Sequence, residues 1–395
     1  MNISARHGRL PRRGPVKSIL AIVASTLAVV MVAGLSLAAI AFWQINSSFK
    51  DSVDISIEGQ EPPTVGPITG PVNILLVGSD SGGGNPAYGE RGETLNDVTI
   101  LLHISPVSHT AIAVSLPRDM FVPIADCKNG SPGTRKMNEA LYYGGLACAV
   151  ATVQNLTGLK IGYAAQIEFD GVIAMSQALG GVEVCVAKPI HDLQINFDLS
   201  AGKHKLKGWN ALMFLRSRHG VGDGSDTTRI SNQQLFLSAM MRQIKSADTL
   251  GNPVTVYALA SAAAKNMTLS TSLRPLDTMA SMALAVKDIP LKNIAFVTYP
   301  SGAGTFGGQS GVLPRAGDAA VLMDAIAKDA RIEVASGAAG GGVVAGGQVD
   351  EPEPTPTGSG QPTIPPDDNV ETVKLPSSIT GQQATEETCT AGQTF

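Results

Sequence analysis

Three arginines, Arg216, Arg218 and Arg229, flank the glycine-rich segment GVGDGSD. A guanidinium presents a planar fork of donors that fits phosphate or carboxylate oxygens. Three of them around one loop therefore point to an anion site. In an extended segment Arg216 and Arg218 leave the backbone on the same face. Arg229 and Gln233 are four apart, so on a helix beginning at Asp226 they share a stripe. The N-terminus of that helix adds the positive end of its dipole. Any one of these arginines alone reads as a solvated surface residue; the cluster is what favours a ligand.

Two other stretches carry matching groups. Arg118 and Asp119 directly follow the apolar run TAIAVSL (110–116), and ligands of α/β sheets bind at the carboxyl ends of strands. A surface ion pair is the alternative there. Asp80 follows the run NILLVG (73–78), and Asp97 opens NDVTILLHI. If those two strands are antiparallel neighbours, both carboxylates meet at one edge. A pair of hard oxygen ligands beside bound phosphate suits Mg²⁺, whereas each aspartate alone reads as a turn or cap residue.

Several chemistries find no support. GSDSGGG (78–84) lacks both GK[ST] and the GxGxxG spacing, so no nucleotide is expected. There is no GxSxG or HExxH, and no Ser, Cys or Lys nucleophile stands out from its neighbours. Direct transfer assisted by electrostatics remains. Only 16% of residues are charged and the formal net charge is -4, which leaves no broad basic face for nucleic acid.

The elements that must position these residues read as an α/β pattern. NILLVG, VTILLHI (98–104) and TAIAVSL have strand character, and SPVS joins the last two as a hairpin. A helix is expected over 137–158, weakened by Gly144 and Gly145. A strand over 163–169 precedes a helix over 170–181 with Asp170 as N-cap, and VEVCV (182–186) is the next strand. GWNALMFLR (208–216) reads as a short helix running into an extended segment. Asp226 caps a long helix to about Ile244. A helix near 273–287, a strand over 294–299 and a helix over 317–329 follow. Strands interleaved with helices predict a layered α/β/α domain, and the hairpin makes its central sheet mixed.

The ends of the chain differ in character. Residues 1–17 carry Arg6, Arg9, Arg12, Arg13 and Lys17, and 18–45 is an uncharged apolar run. That run is longer than a signal-peptide core and long enough to span a bilayer. It reads as an uncleaved anchor with a cytoplasmic N-terminus and the rest of the chain outside. Residues 46–70 read as a stalk, 71–332 as the folded domain, and 333–395 as a low-complexity, disordered tail. Four cysteines in an exported chain permit two disulfides. Cys127 and Cys148 flank one loop-to-helix connection; Cys185 and Cys389 pair by elimination or stay free.

Taken in order, NILLVGSDS, NDVTILLHIS, AVSLPRDM, ALGGVEV and LRSRHGVGDGSDTTRISNQQ resemble the LytR–CpsA–Psr family of membrane-anchored cell-wall phosphotransferases. The likeness runs from about residue 71 to 248. It implies an α/β sheet with helices on both faces and a polyprenyl chain in a hydrophobic pocket. It matches Asp80 and Asp97 to metal-binding aspartates and Arg118, Arg216, Arg218 and Arg229 to phosphate-binding arginines. Gln233 matches the family's glutamine, and Asp119 is placed to position Arg118. Two arginines of the family pattern are replaced, by Gly82 and Leu95, and Arg91 in the intervening loop is the candidate substitute. The implied reaction moves an anionic glycopolymer from a polyprenyl-pyrophosphate carrier to a muramic acid hydroxyl of peptidoglycan, with Mg²⁺ and with Asp97 or a neighbouring carboxylate as base. A polyprenyl pyrophosphate hydrolase and a non-catalytic envelope-binding or regulatory module are the competing expectations.

Overall fold

The computed structural model of the chain describes residues 15–56, 68–80, 88, 94–127, 132–246, 249, 252–335, 339–348 and 370–393. Two compact units divide it at Ser48. The first holds helix α1 (Pro15–Ser48). From Ile19 to Ser48 this helix is long and apolar enough to cross a membrane, with none of its most apolar window buried. The basic residues 6–13 lie outside the described residues.

The second unit, Phe49–Phe395, is built on a mixed sheet. Its seven described strands run in the order β11 (Met267–Leu269), β6 (Tyr163–Ile167), β1 (Val72–Ser79), β2 (Asn96–Ser105), β3 (Thr110–Leu116), β12 (Ile294–Thr298) and β18 (Gly381–Gln383). β1–β2 and β2–β3 are antiparallel, whereas β1–β6 and β3–β12 are parallel. The expected hairpin and mixed sheet are both present. β3 is buried at every position, which is why it reads as an unbroken apolar run rather than an alternation.

Strand periodicity sorts the core into two layers. Leu75, Val77, Ile112 and Val114 point to one face, where they pack with α2 (Ala140–Thr157) and α8 (Ala316–Ala327). Ile74, Ala111, Ala113 and Phe296 point to the other, against α5 (Asp226–Lys245) and α7 (Leu276–Asp288). This is the layered α/β/α arrangement. Beside it, α3 (Phe169–Ala178), α4 (Trp209–Arg216) and α5 enclose a further apolar cluster. It lies over a four-stranded sheet ordered β10 (Gly202–Leu206), β7 (Val182–Val186), β19 (Glu386–Thr390) and β16 (Val343–Gln348). Helix α6 (Pro253–Asn266) completes the described helices. The remaining strands form short pairs: β4–β5 (Phe121–Pro123, Thr134–Lys136), β8–β9 (Ile190–Asp192, Phe197–Leu199), β13–β14 (Ser301–Phe306, Gln309–Pro314) and β15–β17 (Arg331–Glu333, Thr372–Lys374).

Three expectations are corrected. Residues 46–70 are not all stalk: α1 runs to Ser48, Val53 bridges to Ser270, and Ile55 is buried in the core. Asp170 lies in the first turn of α3, and Glu168 holds the cap position. The segment 333–395 is not a tail outside the domain in its described parts. β18 closes one edge of the central sheet, and β16 and β19 complete the second sheet. The polar sequence of β18 hides this, because an edge strand needs no apolar alternation once its partner supplies it. The paired cysteines supply the other tie. Cys185 and Cys389 form a disulfide across neighbouring strands β7 and β19, as Cys127 and Cys148 do across the turn into α2. Gly144 and Gly145 interrupt α2 with non-helical backbone, as their sequence foretells. A Cβ on Gly144 would lie 2.8 Å from that of Cys127 and 2.9 Å from that of Cys148, so the bridge requires glycine there.

Candidate functional site

The site forms where β2 begins, β3 ends and α5 starts. Opposite the Gly78–Ser79 step, the β1–β2 register shifts from Val98 to Asn96, so Asp97 is the bulged residue. A bulge re-aims the side chain it carries. Asp97 Oδ1 accepts a 2.6 Å hydrogen bond from Arg118 Nη1. The turn that presents Arg118 is fixed by backbone bonds from Asn138 N to Arg118 O and from Met137 N to Met120 O. Asp80 is buried just past β1; Leu95 N–H donates to its Oδ1, and Asp80 N–H donates back to Leu95 O. Leu95, where the resemblance implies an arginine, thus serves Asp80 through its backbone.

Helix α5 supplies the third side. Its N-cap is Ser225, whose side chain accepts from Thr228 N, and not Asp226 as the sequence reading has it. Asp226 is thereby released, in the first turn, to face the arginines. Its Oδ1 lies 2.5 Å from Arg229 Nη2 and 3.4 Å from Arg118 Nε. Its Oδ2 is buried without a hydrogen-bond partner, as are Arg118 Nε and Arg229 Nε. Arg229 Nη2 also reaches the backbone oxygen of Asp97 at 3.4 Å. Burial, with Arg118 and Arg218 nearby, pulls the Arg229 guanidinium below its ordinary pKa despite Asp226 and Asp97. Burial acts on Arg118 in the same sense, but Asp97, Asp226 and Asp119 outweigh it and raise that group. Buried guanidinium donors with unused capacity are the groups that an incoming anion would engage.

The other expected residues divide. Arg218 joins this group: its Nε donates to Gly224 O, and its backbone N–H is held by Asp192. Arg216 does not. It ends α4 in helical conformation, so it cannot share an extended face with Arg218, and its guanidinium lies over the ring of Phe169 at 4.6 Å. Gln233 is buried and donates to Leu215 O, bracing the end of α4. Asp119 stands 3.7 Å from Arg118 Nε but pairs more closely with Lys136, at 3.0 Å. Arg91 and Gly82 lie outside the described residues.

Two aspartates carry weight that their local sequence understates. Asp226 stands three residues before Arg229, a spacing that signals a same-face pair. Asp192 has no such signal, because its partners are 25 to 28 residues away. Its Oδ2 accepts from Ser217 Oγ and from the N–H groups of Arg218, His219 and Gly220. It thereby fixes the turn that aims Arg218. Burial opposes its ionisation, yet these bonds hold it below the usual carboxylate range.

Among the described residues no group of three His, Cys, Asp or Glu forms a complete metal cage. Mg²⁺ needs none, since it is commonly bound by one or two carboxylates together with phosphate oxygens and water. Asp80 and Asp97 stand at adjoining ends of β1 and β2, and two carboxylates are the donor set such an ion takes from a protein.

Comparison with known proteins identifies the family and the fold. The LytR_cpsA_psr family profile matches residues 42–321. The probable cell wall biosynthesis protein LcpB of Corynebacterium glutamicum is 33% identical over 210 residues, covering 51% of this chain and 49% of LcpB. The polyisoprenyl-teichoic acid–peptidoglycan teichoic acid transferase TagT of Bacillus subtilis is 27% identical over 259 residues, covering 62% of this chain and 76% of TagT. The solved structure of a LytR-Csp2A-Psr enzyme from Actinomyces oris superposes with a TM-score of 0.54 at 22% identity, covering 71% of this chain and 96% of that one. It shares the fold. The chain spans about half the length of LcpB, the first of these relatives.

Proposed function

The chain belongs to the LytR_cpsA_psr family, and from that premise we propose that it transfers an anionic glycopolymer from a polyprenyl-pyrophosphate carrier to a peptidoglycan hydroxyl, that of muramic acid. The observation that carries this reading is the convergence of Arg118, Arg229 and Arg218 beside Asp97 and Asp226, with donor atoms buried and unpartnered. That the similar protein TagT is a polyisoprenyl-teichoic acid–peptidoglycan teichoic acid transferase supports it.

The acceptor oxygen bonds to the phosphorus that carries the glycopolymer. The bond from that phosphorus to the bridging oxygen breaks, and polyprenyl phosphate leaves. The hydroxyl proton passes to a carboxylate, Asp97 or its neighbour Asp226. Arg118, Arg218 and Arg229 hold the pyrophosphate and neutralise charge that spreads over the transferred group. Asp80 and Asp97 would hold Mg²⁺, which supplies further neutralisation of that charge. Asp192 and Gln233 keep the flanking turns in place. Helix α1 anchors the chain in the membrane with residues 1–17 in the cytoplasm and the domain outside, where lipid-borne substrate is concentrated.

The test uses the full chain in detergent with labelled lipid-linked glycopolymer, with and without peptidoglycan. Label is expected to become insoluble only when peptidoglycan is present, and Arg218→Ala is expected to reduce this about a hundredfold. Release of soluble labelled polymer at the same rate in both arms would make the protein a hydrolase instead.

A further inference from the structure

Beyond the arginines, the same end of the domain carries a line of three aromatic rings that the phosphate chemistry leaves unused. Trp209, the first residue of α4, is 49% exposed. Tyr88 stacks on it with centroids 6.0 Å apart and planes within 9°. Phe169 meets Tyr88 edge-on at 5.1 Å, and Arg216 covers Phe169. The line therefore leads from an exposed indole to the arginine at the far end of α4.

This arrangement is held in place from several sides. The Tyr88 hydroxyl donates to Asp170 Oδ1. Burial and that carboxylate push the phenol up to about 12, so it remains a neutral donor. Gly208 N–H donates to Ser176 Oγ at 2.9 Å, fixing the residue before Trp209. Lys207 and Asn210, which flank Gly208 and Trp209 in the chain, and Asp170, the partner of Tyr88, are polar and exposed. An aromatic centre with a polar rim differs from an apolar trough for a lipid chain.

We infer that Trp209, backed by Tyr88, is a stacking platform for a pyranose ring of the glycan attached to the pyrophosphate. The inference rests on the transfer reading above and names one of its substrate contacts. One face of a pyranose presents C–H bonds of slight positive charge, which match the negative face of an aromatic ring. The ring's hydroxyls stay at the edge, where the polar rim and water meet them. From Trp209 to Arg216 the helix rises about 10 Å, a span that a short oligosaccharide covers from a phosphate held by Arg218, two residues past the end of α4. Charge is complementary as well, since the anionic end of the donor lies toward the arginines.

The chain has two tryptophans, Trp43 in α1 and Trp209. Full-length protein carrying Trp43→Phe thus reports emission from Trp209 alone. The probe is the short oligosaccharide released from the cell's own wall glycopolymer by phosphodiester cleavage. A saturable change in emission is expected, and Tyr88→Ala is expected to weaken it. In turnover, Trp209→Ala is expected to raise KM for the glycan-bearing donor about five- to tenfold. KM for a donor carrying a single sugar stays unchanged, which also shows that the variant is folded, and Trp209→Phe retains most of the effect of the indole. No emission response to the oligosaccharide, or equal loss with both donors, overturns the platform. So does a response to phosphatidylglycerol vesicles in place of the oligosaccharide, which would make this face a membrane contact. If label transfer fails for the Trp43→Phe protein and the unaltered chain alike while Trp209 still responds to the sugar, the transfer reading fails and the binding site stands.

Discussion

Arg118 Nη1 and Asp97 Oδ1 are 2.6 Å apart, joining the end of β3 to the bulge in β2. The pair ties the proposed phosphate-binding group to one of the two proposed metal-binding carboxylates. A pyrophosphate arriving at Arg118 competes with Asp97, and a cation arriving at Asp97 frees Arg118. Each is thus expected to favour the other.

That coupling depends on the guanidinium fork. Arg118→Lys keeps the charge but loses the planar donors that reach Asp97, Asp226 and phosphate together. Label transfer is expected to fall about a hundredfold or more. The same variant should show less gain in pyrophosphate affinity on adding Mg²⁺, measured by calorimetry with inorganic pyrophosphate.

Asp226 balances the buried guanidinium of Arg229, whose side chain is 7% exposed. Removing one partner of such a pair leaves the other uncompensated, at a cost of about 3 kcal/mol. Asp226→Asn is therefore expected to shift the urea midpoint to clearly lower concentration. The helix itself should persist in far-UV dichroism, because Ser225 provides the cap. An unchanged midpoint would place Arg229's stabilisation elsewhere.

Acid should unfold the domain partly through Asp192 and Asp329. Burial opposes ionisation of each, but hydrogen bonds win: from Arg218 N and Ser217 Oγ for Asp192, and from His103, Ser105 and Ser108 for Asp329. Both carboxyls are thus held below the ordinary aspartate range. The stabilisation is complete above the unfolded pKa and is lost as pH falls through the folded one. Stability should therefore decline below about pH 4. Asp192→Asn is expected to be less stable at neutral pH and to show a shallower acid dependence, read from thermal melts across pH 2–6.

The two disulfides should differ in weight. Cys185 and Cys389 are separated by 204 residues, Cys127 and Cys148 by 21. Closing the longer loop restricts the unfolded chain more, so Cys389→Ser is expected to cost about 4–5 kcal/mol and Cys127→Ser about 3. Melting temperatures of the two variants, in that order, check the ranking. A larger loss from Cys127→Ser would mean that packing around Gly144 outweighs chain entropy.

The sequence by itself determined the long apolar N-terminal helix, the three leading strands, their hairpin and most helices, because side-chain periodicity is a local property of the backbone. It also determined which residues could bind phosphate, since donor geometry belongs to the side chain. Tertiary structure decided which of them meet. Arg216 and Arg218, two apart in the chain, part company because α4 keeps its helical pitch through Arg216. Asp226 enters the site because Ser225 takes the cap. Residues 381–383, polar and remote, become an edge of the central sheet because β12 offers unpaired backbone there. Sheet order and loop closure bring groups together across a hundred or more residues, and no pattern with a period of two or 3.6 residues records that.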